Sequence, residues 1–89
     1  MNGRIPLHYA IIEHFLQGVE DDASGVVTAL ASDYASYKML TESDVEEALM
    51  TAKENGILEE TRCEADQVGN PVVFYRMTDF GARMVERYL

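Results

Sequence analysis

Several residue types that support particular chemistries are scarce in this chain of 89 residues. Its one cysteine, Cys63, cannot form an internal disulfide, and without a resolving cysteine or a local excess of cations it is expected to be a half-buried strand residue rather than a redox sensor. The sequence has no run of about 18 apolar residues and no basic N-terminal region followed by an apolar stretch. We therefore expect a cytoplasmic protein with no membrane partner.

Basic residues are also scarce, because 7 lysines and arginines face 16 acidic residues and give a net charge of −9. At physiological salt, such a surface repels a phosphate backbone unless its few cations are gathered in one place. The charge balance favours a basic or neutral partner over DNA.

The arrangements that catalysis or metal binding requires are missing from the sequence. His8 and His14 are six residues apart, which does not place two imidazoles on one helical face. The cluster of Glu20, Asp21 and Asp22 lacks the ligand spacing of a calcium loop, and we interpret it as a solvated turn leading into the next helix. No nucleophile, base and acid are grouped together. We expect a protein that is not an enzyme and needs no metal or cofactor.

A hydrophobic fraction of 47% with 26% charged residues predicts one ordered domain spanning residues 1–89. After residue 56 the helical pattern gives way to two segments that look like strands, joined by the turn residues Gly69, Asn70 and Pro71, and a helical pattern returns after residue 78. We predict three helices, a β-hairpin and a last helix, with these bounds: helices at Ile5–Gln17, Ser24–Tyr34 and Thr41–Gly56, strands at Ile57–Glu64 and Val72–Met77, and a helix from the Thr78 cap to Leu89.

The third helix has both its start and its end encoded in the sequence. Thr41 is a favourable N-cap, and Asp44, three residues later, can complete a shortened capping box. Gly56 supplies the left-handed conformation that ends a helix. Its predicted inward face is Val45, Ala48, Leu49 and Ala52, and the predicted core faces of the first two helices are Leu7, Ile11 and Phe15, and Val27, Leu30, Ala31 and Tyr34.

The first helix carries a second apolar stripe nearly opposite Leu7, and the last helix has a similarly wide apolar arc. This surplus can be extra core between the two helices, or it can form the two-fold interface of a homodimer. The candidate interface residues are Tyr9, Ile12, Leu16, Val85 and Leu89.

Two local motifs resemble the winged helix-turn-helix superfamily of small bacterial and archaeal transcription regulators. They are Val45-x-x-Ala48-Leu49 continuing through Asn55-Gly56-Ile57-Leu58, and Tyr75-Arg76-Met77-Thr78-x-x-Gly81. The resemblance implies an α+β fold with a helix-turn-helix core, a two-stranded wing and a C-terminal helix. It also implies a non-catalytic protein, often dimeric through its first and last helices, that binds DNA with the third helix and the wing.

The charge of this third helix differs from that expected of a DNA recognition helix. From Glu42 to Asn55 it holds five acids and one base, a net charge of −4, and Lys53 lies nearer the predicted buried side. The wing hairpin, Ile57–Met77, sums to −2. The outward face of the helix is formed by Ser43, Glu46, Glu47, Met50 and Glu54.

The sequence leaves several roles open for this face. An adaptable apolar side chain, Met50, among carboxylates suits a basic protein partner, whereas a plain solvated surface needs no partner at all. The alternative is a dimeric DNA-binding regulator whose cations are assembled only in the dimer, with backbone contacts from Lys38, Lys53, Arg62 and Arg76. A DNA-mimicking antirepressor would follow from acidity alone.

Overall fold

In the part of the chain that the structure describes, four helices and one antiparallel hairpin succeed one another in the predicted order, which confirms the α+β class. The structure is a computed structural model and describes residues 6–34 and 40–88, with the backbone only at residue 88. Ile5, Lys38 and Leu89, which carry predictions made above, lie outside the described residues. The elements are α1 Leu7–His14, α2 Ala23–Tyr34, α3 Glu42–Glu54, β1 Leu58–Ala65, β2 Pro71–Met77 and α4 Asp79–Tyr88.

One apolar core joins the helices to the base of the hairpin. The predicted inward faces of α1 and α3 are confirmed, since Phe15, Val45 and Leu49 are fully buried. The face of α2 is centred on Val26, which the sequence did not assign to the core, while Val27 and Leu30 are only partly buried against it. The large side chains that are fully buried are Phe15, Leu49, Leu58, Val26 and Val45.

Both ends of α3 form as the sequence predicts. The Thr41 hydroxyl accepts a hydrogen bond from the Asp44 backbone N–H at 3.1 Å and donates one to the Asp44 carboxylate at 3.0 Å. At the other end Gly56 has φ +82°, its N–H bonds to the carbonyl of Lys53, and the next N–H reaches back to Ala52. This is a Schellman motif, and it directs the chain into β1.

α1 is shorter than the sequence predicts. It begins at Leu7, directly after Pro6, and ends at His14 rather than Gln17. Pro6 is therefore the residue before the helix rather than its first residue, and its carbonyl accepts from Tyr9 and Ala10. After the helix, residues 15–17 form a turn that ends at Gly18 with φ +85°.

The two strands of the wing pair from Leu58 opposite Met77 to Ala65 opposite Pro71, with a bulge between Glu60 and Arg62. Beyond Leu58 the residues of β1 are mostly exposed, so the hairpin projects away from the core. This explains why Cys63 is exposed rather than half-buried as predicted.

The acidic loop before α2 is more ordered than a solvated turn, which corrects the sequence-based interpretation. Asp21 exchanges two backbone hydrogen bonds with Tyr75, at 3.0 and 2.8 Å, and so pairs with the outer side of β2. The Asp21 carboxylate also lies 2.8 Å from His14. Asp22 caps α2, because its carboxylate accepts from the Gly25 backbone N–H. The loop thus ties α1, α2 and the wing together.

α4 starts at the junction of the wing and the end of α3. The Thr78 hydroxyl donates to the Gly56 carbonyl at 2.6 Å and accepts from the Gly81 backbone N–H at 2.9 Å. Gly81 lies so close to Ile57 that an added Cβ would meet its carbonyl oxygen at 2.3 Å. Further along α4, Val85 joins the core. Among the described residues, no helix is long and apolar enough to cross a bilayer.

Candidate partner-binding face on the third helix and wing

The acidic outward face of α3 is largely open to solvent. Ser43, Glu47 and Glu54 are exposed, and 51% of Met50 is accessible, as the helical wheel predicts. Lys53 is also exposed, although the wheel places it nearer the buried side of α3. A lysine on the margin of the buried stripe extends its long side chain into water, which a wheel of Cα positions does not capture.

Glu46 is the member of this face that is fixed in place, since it is half-buried and accepts a 3.0 Å hydrogen bond from the Tyr75 hydroxyl. Tyr75 is only 2% exposed. Burial, this hydrogen bond and the negative charges of Glu46 and Glu60 raise the pKa of Tyr75, so its hydroxyl remains a donor. The bond connects the outward face of α3 directly to the wing.

A groove runs between α3 and the wing, and two hollows form it. The inner hollow has a volume of about 210 Å³ and is lined by Glu46, Met50, Lys53, Glu54, Glu60, Val73 and Tyr75. The outer hollow, of about 320 Å³, extends toward the wing tip and is lined by Asp22, Ala23, Ser24, Glu42, Glu46, Asp66, Pro71, Val72 and Val73. Glu46 and Val73 border both, so the two hollows lie side by side along the groove.

Arg62, one of the candidate phosphate-binding residues, is engaged within the protein. Its guanidinium bonds to Glu20 at 3.1 Å, pairs with Glu64, and lies 3.9 Å from the centre of the Phe74 ring. Hydrogen bonds from Thr61 and Arg62 lower the pKa of the Glu20 carboxyl, so that carboxylate stays charged beside the arginine. Presenting Arg62 to a phosphate would require breaking these contacts.

Of the other cations proposed for DNA contact, the structure describes Lys53 and Arg76. Arg76 lies 4.0 Å from Glu59, at the limit of an ion pair, and both side chains are about half exposed. Lys53 is on α3 and borders the inner hollow. Lys53 therefore borders the groove, whereas Arg62 and Arg76 each lie beside a carboxylate of the protein itself.

The surfaces proposed for dimerisation divide into two groups. Ile12 and Val85 are buried in the core of the chain itself. Tyr9 and Leu16 remain accessible, at 45% and 37%. The surplus apolar stripe of α1 is therefore core at its centre and open surface at its ends.

The histidines and acids form no metal centre in the described parts of the chain, where no group of three potential ligands converges. His14 faces Asp21, and His8 stacks edge-on against Tyr9. Sequence reasoning missed Tyr75, the residue that joins the wing to α3. Its role could have been inferred from its position among the apolar residues of β2, because a buried tyrosine usually has a hydrogen-bond partner for its hydroxyl.

Comparison with solved structures establishes the fold. The chain is similar to a PadR-like transcriptional regulator of Bacillus cereus, with TM-score 0.67 and 21% identity over 91% of this chain and 75% of that one. It also superposes on PadR of Bacillus subtilis, determined in complex with operator DNA, with TM-score 0.73 and 17% identity over 92% of this chain and 45% of that one. The chain has the winged helix-turn-helix fold.

A third winged helix of similar structure is a transcriptional regulator homologue from Pyrococcus horikoshii, with TM-score 0.67 and 21% identity over 92% of this chain and 71% of that one. No protein-family model and no curated protein matches the sequence. At these identities the likeness concerns the winged-helix fold, and the role of the α3 and wing face must be argued from its own residues.

Proposed function

We propose that this chain is a non-catalytic, cytoplasmic winged-helix protein of transcription-regulator type whose α3 and wing face binds a basic protein surface rather than DNA. The similar structures from Bacillus cereus and Pyrococcus horikoshii are described as a transcriptional regulator and a transcriptional regulator homologue, which supports the general class. The specific role rests on the face itself. Carboxylates surround an exposed methionine at the position where this fold would present its base-reading side chains.

The observation that carries the proposal is the exposed α3 surface with a net charge of −4, around Met50. Six to ten phosphate contacts are typical of a DNA-binding protein whose affinity depends strongly on salt. Among the described residues, α3 and the wing hold Lys53, Arg62 and Arg76, and the last two are near carboxylates. A basic protein would instead gain from the carboxylates, and Met50 supplies an apolar contact inside a charged rim.

A fluorescent duplex pool of random sequence tests this choice by anisotropy at about 150 mM salt. We expect no binding by the wild-type protein. Replacing Glu46, Glu47 and Glu54 together by glutamine should permit weak, sequence-independent binding, because the like-charge repulsion is reduced. The proposal is contradicted if the wild-type protein binds duplex and loses that binding in Arg62→Ala, while the matched control Arg83→Ala on α4 leaves it unchanged.

The second candidate function is a DNA-binding regulator, and the similarity to a PadR structure with operator DNA favours it. In this case Arg62 would release Glu20 and Glu64 and bind DNA phosphates instead. Further phosphate contacts in a dimer would come from Lys38, Lys53 and Arg76. The duplex experiment separates the two candidates, because only the second predicts salt-sensitive binding that depends on these cations.

We also propose that the chain forms a homodimer through the accessible ends of the α1 stripe. Tyr9 and Leu16 supply exposed apolar surface, and a domain of this size benefits from burying more of it. Light scattering at tens of micromolar should give a dimer mass, and Leu16→Glu should reduce it to the monomer. A monomeric wild-type mass, unchanged by the substitution, would remove this proposal.

A further inference from the structure

The inner hollow between α3 and the wing combines an apolar lining with an acidic border. Met50 and Val73 contribute apolar side chains from the two opposing elements, and the buried Tyr75 lies between them. Glu54 and Glu60 stand at the border as exposed carboxylates. The hollow therefore presents an apolar contact and negative charge within the same small space.

The size of the hollow limits what can occupy it. Pockets for small molecules usually measure about 300 to 1,000 Å³. The inner hollow, at about 210 Å³, is below this range and suits a single side chain. The outer hollow, at about 320 Å³, is lined by four carboxylates rather than by the mostly apolar walls of such pockets. The outer hollow continues the groove along the wing, so a main chain attached to that side chain has a path to follow.

The charges of the groove select the chemistry of the occupant. Lys53 is the one cation among the residues that line the inner hollow, against three glutamates. Glu46 is held by Tyr75, so one carboxylate has a fixed position before any partner arrives. In the outer hollow the Asp22 and Asp66 carboxylates accept hydrogen bonds from backbone N–H groups.

We infer that this groove binds a short basic peptide segment in which one apolar side chain is flanked by lysines or arginines. The apolar side chain lies against Met50 and Val73 in the inner hollow, and the flanking cations pair with Glu46, Glu54 and Glu60. The inference rests on the proposed function, because it places the basic partner of the α3 face in one groove. It also divides that face, since Ser43 and Glu47 do not line the groove.

Two fluorescein-labelled peptides test the groove by anisotropy at about 50 and 150 mM salt. Their sequences are Lys-Arg-Leu-Arg-Lys and the equally charged Lys-Arg-Asn-Arg-Lys. We expect the leucine peptide to bind about tenfold more tightly, since burying one such side chain is worth at least that factor. Both affinities should fall as salt rises, because the flanking charges lie near the surface.

Variants of exposed residues locate the bound peptide without disturbing the core. Met50→Asn should remove most of the preference for leucine, and Glu54→Gln should weaken both peptides about threefold. Glu47→Gln is the matched control, because it removes the same charge from α3 outside the groove, and it should change neither affinity by more than about twofold. Unchanged melting temperatures confirm that the variants are folded.

The outcomes separate this inference from the broader proposal. Equal affinity for the two peptides would overturn the inference that the groove binds the apolar side chain. Equal weakening of binding by Glu47→Gln and Glu54→Gln would also overturn it, because the acidic face of α3 would then attract basic peptides without a specific groove. Failure of the leucine peptide to bind at about 1 mM also overturns it. Displacement of the peptide by the random duplex would overturn both this inference and the proposed function, because DNA would then occupy the groove. A change of oligomeric mass in Met50→Asn would assign the groove to a second copy of the chain.

Discussion

Replacing Gly81 by alanine sets two effects of opposite sign against each other at the start of α4. Helix propensity alone predicts a gain of up to about 1 kcal/mol, since alanine favours a helix over glycine by that amount. The structure predicts the opposite, because the new Cβ would lie 2.3 Å from the Ile57 carbonyl oxygen and 2.9 Å from its Cα. These are backbone atoms, so no side-chain rotation relieves the overlap and α4 must shift.

Overpacking of this kind costs about 1 to 3 kcal/mol. After the propensity gain of about 1 kcal/mol is subtracted, we expect Gly81→Ala to lower the free energy of unfolding by up to about 2 kcal/mol. Urea denaturation followed by far-UV circular dichroism measures the difference. Arg83→Ala, an exposed change two residues along the same helix, serves as the control and should stay within about 0.5 kcal/mol of wild type. A Gly81→Ala protein that is more stable than wild type would refute the close approach of α4 to Ile57.

Three further changes test other contacts. Gly56→Val should lower the free energy of unfolding by more than about 1 kcal/mol, because φ is +82° there, and a wild-type melting curve would place the end of α3 elsewhere. Tyr75→Phe should cost about 1 kcal/mol in the same denaturation assay by removing the bond to the α3 carboxylate. Hydrogen bonds from Thr61 and Arg62 lower the pKa of Glu20 below its ordinary 4.5, so its stabilising contribution is present above that pH and is lost as pH falls through the lowered pKa. The stability difference between wild type and Glu20→Gln should accordingly vanish in acid, and a difference that is constant with pH would contradict the pairing.

Local signals made the third helix the best predicted part of the fold. Its caps depend on residues within a few positions of each other, Thr41 with Asp44 and Gly56 with the preceding turn, so the sequence contains all that is needed. The wing could also be predicted, because two strand-like segments joined by turn residues indicate a hairpin, although Pro71 belongs to β2 rather than to the turn.

Pairings between distant segments could not be predicted in the same way. Asp21 and Tyr75 are far apart in sequence, and their two bonds use backbone atoms that every residue has. Their neighbours gave no pattern of alternation, so the acidic loop resembled a solvated turn. The centring of α2 on Val26 was missed because several positions of that helix are apolar, and periodicity alone then fixes the buried face poorly.

The candidate site was predicted where it depended on a single helix and missed where it needed two elements. The wheel placed Met50 and its neighbouring carboxylates correctly on the outside of α3. The groove exists only because the wing brings Val73 and Tyr75 opposite that face, at a distance set by the tertiary fold. The engagement of Arg62 by Glu20 likewise depends on the loop that pairs with β2.

The most direct test of the central claim is a titration of the isotope-labelled protein with the random duplex pool, followed by backbone amide NMR at about 150 mM salt. If the acidic face of α3 binds a basic protein rather than DNA, the amides of Glu46, Met50 and Val73 do not shift with duplex and do shift with the basic leucine peptide. Shifts of these amides that saturate with duplex would instead show that the acidic face of α3 binds DNA.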